Sequence, residues 1–148
     1  FAQSQEEAEK IYEAIRLPKR ATAGSAGYDF FAPAEFTLKP SETVKIPTGI
    51  RVEMQPEWVL KCYPRSGLGF KYRLQLNNTV GIIDSDYFYS DNEGHIFAKI
   101  TNDSNEDKTL IIPADTGFMQ GIFVEYGITV DDEASEIRNG GFGSTTAK

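Results

Sequence analysis

TVKIPTGIRVEM, residues 43–54, is the stretch on which the fold turns. Val44, Ile46, Ile50 and Val52 fall on apolar steps, and a Pro47-Thr48-Gly49 turn parts the first pair from the second. Side chains alternate across a strand, so an apolar period of two marks a strand with one face toward a core. The stretch predicts two strands about a turn. The same texture recurs as WVLKCY (58–63), LQLNNTVGIID (74–84), HIFAKIT (95–101), TLIIP (109–113) and GIFVEY (121–126), parted by Gly, Pro, Asn and Asp. Short β-rich runs with this punctuation are the pattern of an all-β sandwich, barrel or jelly roll. QSQEEAEKIYEAIR (3–16) differs, because Ala8, Ile11, Tyr12 and Ile15 are spaced for one face of a short amphipathic helix.

A chain of 148 residues has the size of one domain and can bury a core without disulfides or a structural metal. Cys62 is the single cysteine and His95 the single histidine, so the sequence offers neither a disulfide framework nor a clustered zinc set. No apolar run of roughly 18 residues suggests a membrane span, and no leader resembles a signal peptide. The expectation is a soluble cytoplasmic protein, or a nuclear or organellar one if a leader precedes Phe1. A net charge of −7 argues against broad nucleic-acid binding, which needs a surface rich in Lys and Arg. A small nucleotide remains compatible with that charge, provided a few Arg residues, backbone N–H groups and a divalent cation converge on it.

Three strings carry chemistry on their own residues. In PRSGLGFK (64–71), Arg65 supplies a planar fork of donors for phosphate oxygens, and the backbone around Ser66, Gly67 and Gly69 can approach a ligand closely. The same composition also makes an ordinary surface turn. In GIIDSDY (81–87), Asp84 ends an apolar run, where its neighbours can fix a carboxylate that orients a water. A turn-capping carboxylate is the plainer alternative. RNGGFGST (138–145) can wrap anionic oxygens with successive N–H groups, although it lacks the GK[ST] ending of a Walker loop. Read alone, such a Gly-rich string with one aromatic is usually a flexible tail.

Together with AGYDFFA (26–32), NNTVGIIDSDY (77–87) and GFMQ (117–120), these strings stand in the order of five motifs, and the chain resembles the trimeric dUTPases. That resemblance implies a jelly-roll-like β-barrel, a homotrimer, and Mg²⁺-dependent hydrolysis of dUTP to dUMP and pyrophosphate. It implies that Asp84 is the general base for water attacking the α-phosphorus. Arg65, Ser66 and Gly67 would hold phosphates, and Asn78 would read uracil, with Asn77 as the alternative register. Gly81 belongs to the same base-binding hairpin. Tyr87 would pack on the deoxyribose and exclude a 2′-hydroxyl, Gln120 would contact phosphate or order the site, Arg138 would meet the γ-phosphate, and Phe142 would cover the base. Asp29 is implied as an organiser of the subunit contact. Asp86 would stand beside Asp84 near the triphosphate, where like charges ~4 Å apart repel by roughly 4 kcal/mol at a dielectric of 20. Mg²⁺ held mainly by phosphates and water would offset this, with no direct protein ligand implied. The implied organisation is an extension (1–16), a core (17–137) and a Gly-rich lid (138–148). Each site would draw the second and fourth motifs from one chain, the third from another and the fifth from the last.

The chain departs from that pattern in three places. FYSDNEG (88–94) is longer than the family's connection, and Phe88 to Asn92 would lengthen a hairpin tip near the site; it reads as solvated loop variation, with a tuning of access or of subunit contacts as the alternative. The fourth motif lacks its usual Arg and Ala before Gln120. A helix-like segment stands at the amino terminus where a strand is expected. Two rivals stay open, a dCTP deaminase or bifunctional deaminase-dUTPase, and a dUTPase scaffold that serves a regulatory protein partner. The deaminase pattern needs two Ser after the Arg, which RSGLGFK does not supply.

Overall fold

The computed structural model describes residues 2–141. The predicted amino-terminal helix is present as α1 (Gln5–Ala14). Ser4 Oγ accepts the Glu7 N–H at 3.1 Å, and the Glu7 carboxylate accepts the Gln3 N–H at 2.8 Å, so side chains satisfy donors the first turn leaves open. No residue of α1 is buried, and only Ile15, just past its end, packs on the core.

The strands are β1 (Lys19–Arg20), β2 (Tyr28–Phe31), β3 (Phe36–Leu38), β4 (Thr43–Pro47), β5 (Trp58–Pro64), β6 (Leu74–Leu76), β7 (Gly81–Ile83), β8 (Phe97–Asn102), β9 (Leu110–Ile112) and β10 (Gly117–Glu125). They form three antiparallel sheets, ordered β1-β2-β10-β5-β7, β4-β8-β6 and β3-β9. The architecture is mostly β, as the alternation predicts. The expected barrel is not closed among the described residues, because β6 and β7 are each the edge of a different sheet.

Two local expectations are also corrected. Residues 43–54 do not fold back as a paired hairpin. The Thr48 hydroxyl donates to the Ile96 carbonyl and accepts the Ile50 N–H, while the Ile96 N–H donates to the Ile50 carbonyl. These bonds carry the chain past Gly49 alongside the approach to β8. PRSGLGFK contains a short helix, α2 (Ser66–Tyr72), rather than a strand-joining turn. Its two glycines lower helix propensity by about 1 kcal/mol each, which hides it from a sequence reading.

The core draws on every sheet. Leu74 and Leu76 of β6, Ala98 and Ile100 of β8, Leu110 and Ile112 of β9, Ile46 of β4 and Phe118 of β10 are all buried. Burying one such large side chain stabilises the fold by roughly 1.5–3 kcal/mol. Asn102 is buried among them, and its amide donates to the carbonyls of Leu38 and Lys108, both at 2.9 Å. Its oxygen accepts the Ser104 N–H at 3.1 Å, so a polar group in the core is satisfied on both sides. No helix among the described residues is long and apolar enough to cross a membrane.

Candidate active site

The chain leaves β6 at Leu76, turns through residues 77–80 and enters β7 at Gly81. The two strands are consecutive but diverge, β6 pairing with β8 and β7 with β5. Between them lies a cavity of about 290 Å³, lined in part by Asn78, Gly81, Asp84, Tyr87, Arg138 and Gly141. The local turn decides which asparagine faces it. Asn77 Oδ1 accepts the Thr101 hydroxyl at 2.6 Å, which ties Asn77 to β8, while Asn78 lines the cavity. Thr79 takes a left-handed φ of 69° at the tip, and its N–H donates to the Leu76 carbonyl.

Asp84 follows β7 in extended conformation, and its carbonyl accepts the Tyr87 N–H as the chain winds into a 3₁₀ turn, Ser85–Tyr89. That turn buries Tyr87 at the cavity wall while Asp84 and Asp86 stay about half exposed. Arg138 spans both carboxylates. Its Nη2 lies 2.7 Å from Asp84 Oδ2 and its Nε 2.7 Å from Asp86 Oδ1, and the side chain is only 16% exposed. The tail segment is held further by the Asp91 N–H, which donates to the Asn139 carbonyl. Gly141 lies so close to the Tyr87 ring that a Cβ there would sit 2.5 Å from Cε1, so only glycine allows this approach. Residues 138–141 are therefore placed against the site. Phe142 and the rest of the proposed lid lie outside the described residues.

Tyr87 is held at its far end by a chain of hydrogen bonds that the sequence does not announce. Its hydroxyl donates to the His95 carbonyl and accepts from Asn92 Nδ2 at 2.9 Å, while Asn92 Oδ1 accepts the Ser90 hydroxyl at 2.6 Å. Burial pushes the phenol above its ordinary value, opposed by the Asn92 bond and the charge of Arg138. The His95 ring accepts the Gly49 N–H at Nε2, and burial pushes its pKa down, which suits a neutral acceptor.

A second group of candidate residues gathers elsewhere. Arg65 precedes α2 and pairs with the buried Asp29 of β2 at 2.9 Å. Asp29 lies opposite Gln120 in the β2–β10 register, and Gln120 donates to the Pro64 carbonyl at 3.3 Å. Gly117 leaves room for the Arg65 guanidinium, since a Cβ there would meet Nη1 at 2.6 Å. Arg65 and Gly67 line a concavity of about 370 Å³ that shares no lining residue with the first, and Ser66 lies between them in the chain. One chain thus gathers Asn78, Gly81, Asp84, Asp86, Tyr87 and Arg138 in one place, and Asp29, Arg65, Ser66, Gly67 and Gln120 in another, so Arg138 of the fifth motif meets the third motif within one chain, where the resemblance implies two different chains.

A family model described as dUTPase matches residues 13–146. The chain belongs to the dUTPase family. The deoxyuridine 5′-triphosphate nucleotidohydrolase of Lactococcus lactis is 42% identical over 136 residues, covering 90% of this chain and 89% of that protein. The Methylobacillus flagellatus enzyme of the same name is 39% identical over 142 residues, covering 87% of each. The crystal structure of the Streptococcus mutans dUTPase superposes with a TM-score of 0.68 at 38% identity, over 79% of this chain and 90% of that one. The dUTPase of phage phi11 of S. aureus, described with a structural Mg(II) ion, shares the fold at a TM-score of 0.66 and 23% identity, over 84% of this chain and 92% of its own.

Within this dUTPase the sequence reading misses His95, Asn92 and Ser90, whose bonds reach Tyr87. The insertion is more than a solvated tip. Arg51 stacks 3.7 Å from the Phe88 ring and donates to its carbonyl, and the Glu93 N–H closes on the Ser90 carbonyl. The one available signal is the run Ser90-Asp91-Asn92, rich in side chains that bond locally. Among the described residues no three or more His, Cys, Asp or Glu side chains form a group that could hold a metal ion.

Proposed function

We propose that the chain hydrolyses dUTP to dUMP and pyrophosphate, with Asp84 as general base. The supporting observation is the cavity between diverging β6 and β7, with Asp84 at its rim and Tyr87 in its wall. Edge strands carry peptide groups not used by a neighbouring strand. Those groups, with the Asn78 amide and Gly81, supply a polar edge for uracil. A 5-methyl group in such a slot would cost about 1–3 kcal/mol as overpacking. Cytosine would set donor against donor. The Tyr87 ring faces the sugar and leaves no room for a 2′-hydroxyl.

Asp84 accepts a proton from water as the water oxygen bonds to the α-phosphorus. The bond from that phosphorus to the bridging oxygen breaks, and pyrophosphate leaves with the electron pair. Arg138 must first release the carboxylate. Asp84 and Asp86 are each about half exposed, so an incoming triphosphate can reach the pair and draw Arg138 from the two carboxylates to its own oxygens. Asp84 and Asp86, together facing the polyphosphate, suit a hydrated Mg²⁺ carried on the phosphates, because a hard cation prefers oxygen ligands and retained water. Bound there, the ion would offset the phosphate charge that otherwise opposes a carboxylate.

Arg65, Ser66, Gly67 and Gln120 bind the phosphates in this reading, and Asp29 sets the Arg65 fork. The placement of Arg65 and Gly67 in a separate concavity supports a homotrimer in which each site combines residues of neighbouring chains. Phe70 is 90% exposed beside that concavity, and Ile128, Val130 and Ile137 are exposed further on, as surfaces awaiting a subunit would be. Segments 1–16, 17–137 and 138–148 then act as extension, core and lid, with Phe142 closing over the base. Pyrophosphate release measured across dUTP, dTTP, dCTP and UTP with Mg²⁺ tests the proposal. Release from dUTP alone is expected, and dUMP formed from dCTP would replace it with deaminase chemistry.

A further inference from the structure

We infer that Asn92, in the inserted segment, is a positioning residue that holds the Tyr87 ring in its sugar-selecting orientation. The inference rests on the proposed dUTP reading of the cavity, and its own observation is the directed chain Ser90, Asn92, Tyr87, His95. A backbone carbonyl can only accept, so the Tyr87 hydroxyl must give its single proton to His95. The phenol oxygen is then left as an acceptor and needs a donor. The Asn92 amide supplies it at 2.9 Å, with its own oxygen satisfied by the Ser90 hydroxyl at 2.6 Å. That order fixes which way the Asn92 amide points.

The donor is anchored. Ser90 is buried, the Glu93 N–H closes on the Ser90 carbonyl, and Glu93 and Gly94 turn at positive φ, 58° and 77°. The Arg51–Phe88 contact fixes the other end of the segment. Tyr87 consequently has its oxygen gripped by two groups while its ring lines the cavity and its edge meets Gly141. Without Asn92 one grip is lost, and the ring can tilt away from the space a 2′-hydroxyl would occupy. The insertion therefore acts on substrate choice through the ring, without touching substrate.

The test compares wild type, Asn92→Ala and the isosteric Asn92→Asp, which keeps size but loses the donor. Two readouts are taken, kcat/KM on dUTP and UTP, and the dissociation constants of dUMP and UMP. Both variants are expected to lower the preference for the deoxynucleotide about 10-fold, the scale of one hydrogen bond, with kcat on dUTP nearly unchanged. In a Tyr87→Phe background, where no oxygen remains to hold, Asn92→Ala should add no further change. A purely structural residue would weaken both nucleotides alike and leave the ratio as in wild type, and that result overturns the inference. A ratio that still shifts in the Tyr87→Phe background overturns it too. If Asn92→Ala does not fold, Asn92→Asp and Ser90→Ala carry the comparison. Wild type that selects dUMP over UMP but releases no pyrophosphate from dUTP would refute the hydrolysis reading and leave the role of Asn92 standing. Wild type that binds neither nucleotide refutes both.

Discussion

Asp84 and Arg138 show how one side chain can be both poised and held. The carboxylate is half exposed, so little packing depends on it, yet a guanidinium lies 2.7 Å away. Replacing Asp84 with Asn keeps its shape and removes the proton acceptor. Turnover of dUTP should fall by about 10²–10⁴-fold, the usual contribution of a positioned base, with the thermal midpoint almost unchanged. Steady-state pyrophosphate release and a melting curve on one preparation check this, and retained turnover would remove Asp84 from the mechanism. His95 yields a different prediction at the same scale. Burial lowers its pKa below the ordinary 6.5, so the folded state holds fewer protons than the unfolded one as acid is added. Its contribution to stability is full above about pH 6.5 and is lost as the pH falls through the lower, folded value. His95 is the chain's single histidine, so the contrast is clean. The melting temperature of wild type should drop more steeply between pH 7 and pH 5 than that of His95→Gln, which keeps an acceptor for Gly49 but does not titrate. Parallel curves would assign no role to this imidazole.

Elements decide what the residues can reach, and here the sequence is informative in part. Apolar alternation picks out the inward residues of β4, β6 and β8, because burial of one face is a local property of the string, whereas β9 is apolar throughout and its exposed Ile111 is not legible in this way. Partners are not local. Ile50 and Val52 do pack on the core side, but Thr48 directs its segment toward Ile96 instead of back along β4. Likewise LQLNNTVGIID reads as one hairpin, whereas β6 and β7 pair elsewhere and part to make the cavity. Asp84, Tyr87 and Asn78, which the motif strings single out, line that cavity. The Asn92 donor is not legible in the string, because it acts through a bond to another side chain. Asn102 joins elements in the same hidden way, linking β8 to β3 and to the loop at Lys108. Asn102→Leu fills a similar volume but strands the buried Leu38 carbonyl and the part-buried Lys108 carbonyl, at a cost of roughly 1–3 kcal/mol each. A drop of at least about 4 °C in melting temperature is expected for a chain of this size, measured by calorimetry. A shift near zero would mean that water replaces both bonds.

The whole molecule raises the question of where a complete site resides. Arg65 and Asp84 are both needed in the proposed reaction, yet one chain presents them in separate concavities. Two inactive variants can decide between sites built within a chain and sites built between chains. Asp84→Asn supplies an intact Arg65, and Arg65→Ala supplies an intact Asp84. Alone, each should be nearly inactive. Unfolded and refolded together at equal concentration, they assort at random. If each site takes its base from one subunit and its arginine from another, about a quarter of the sites should be intact, and activity should return to that level. Sites confined to one chain give no recovery, because neither variant carries both groups. Light scattering on the mixture should report three times the 16.5 kDa chain mass. Recovery without that mass would place the sharing in a different assembly, and the mass without recovery would leave the trimer in place but return the site to a single chain.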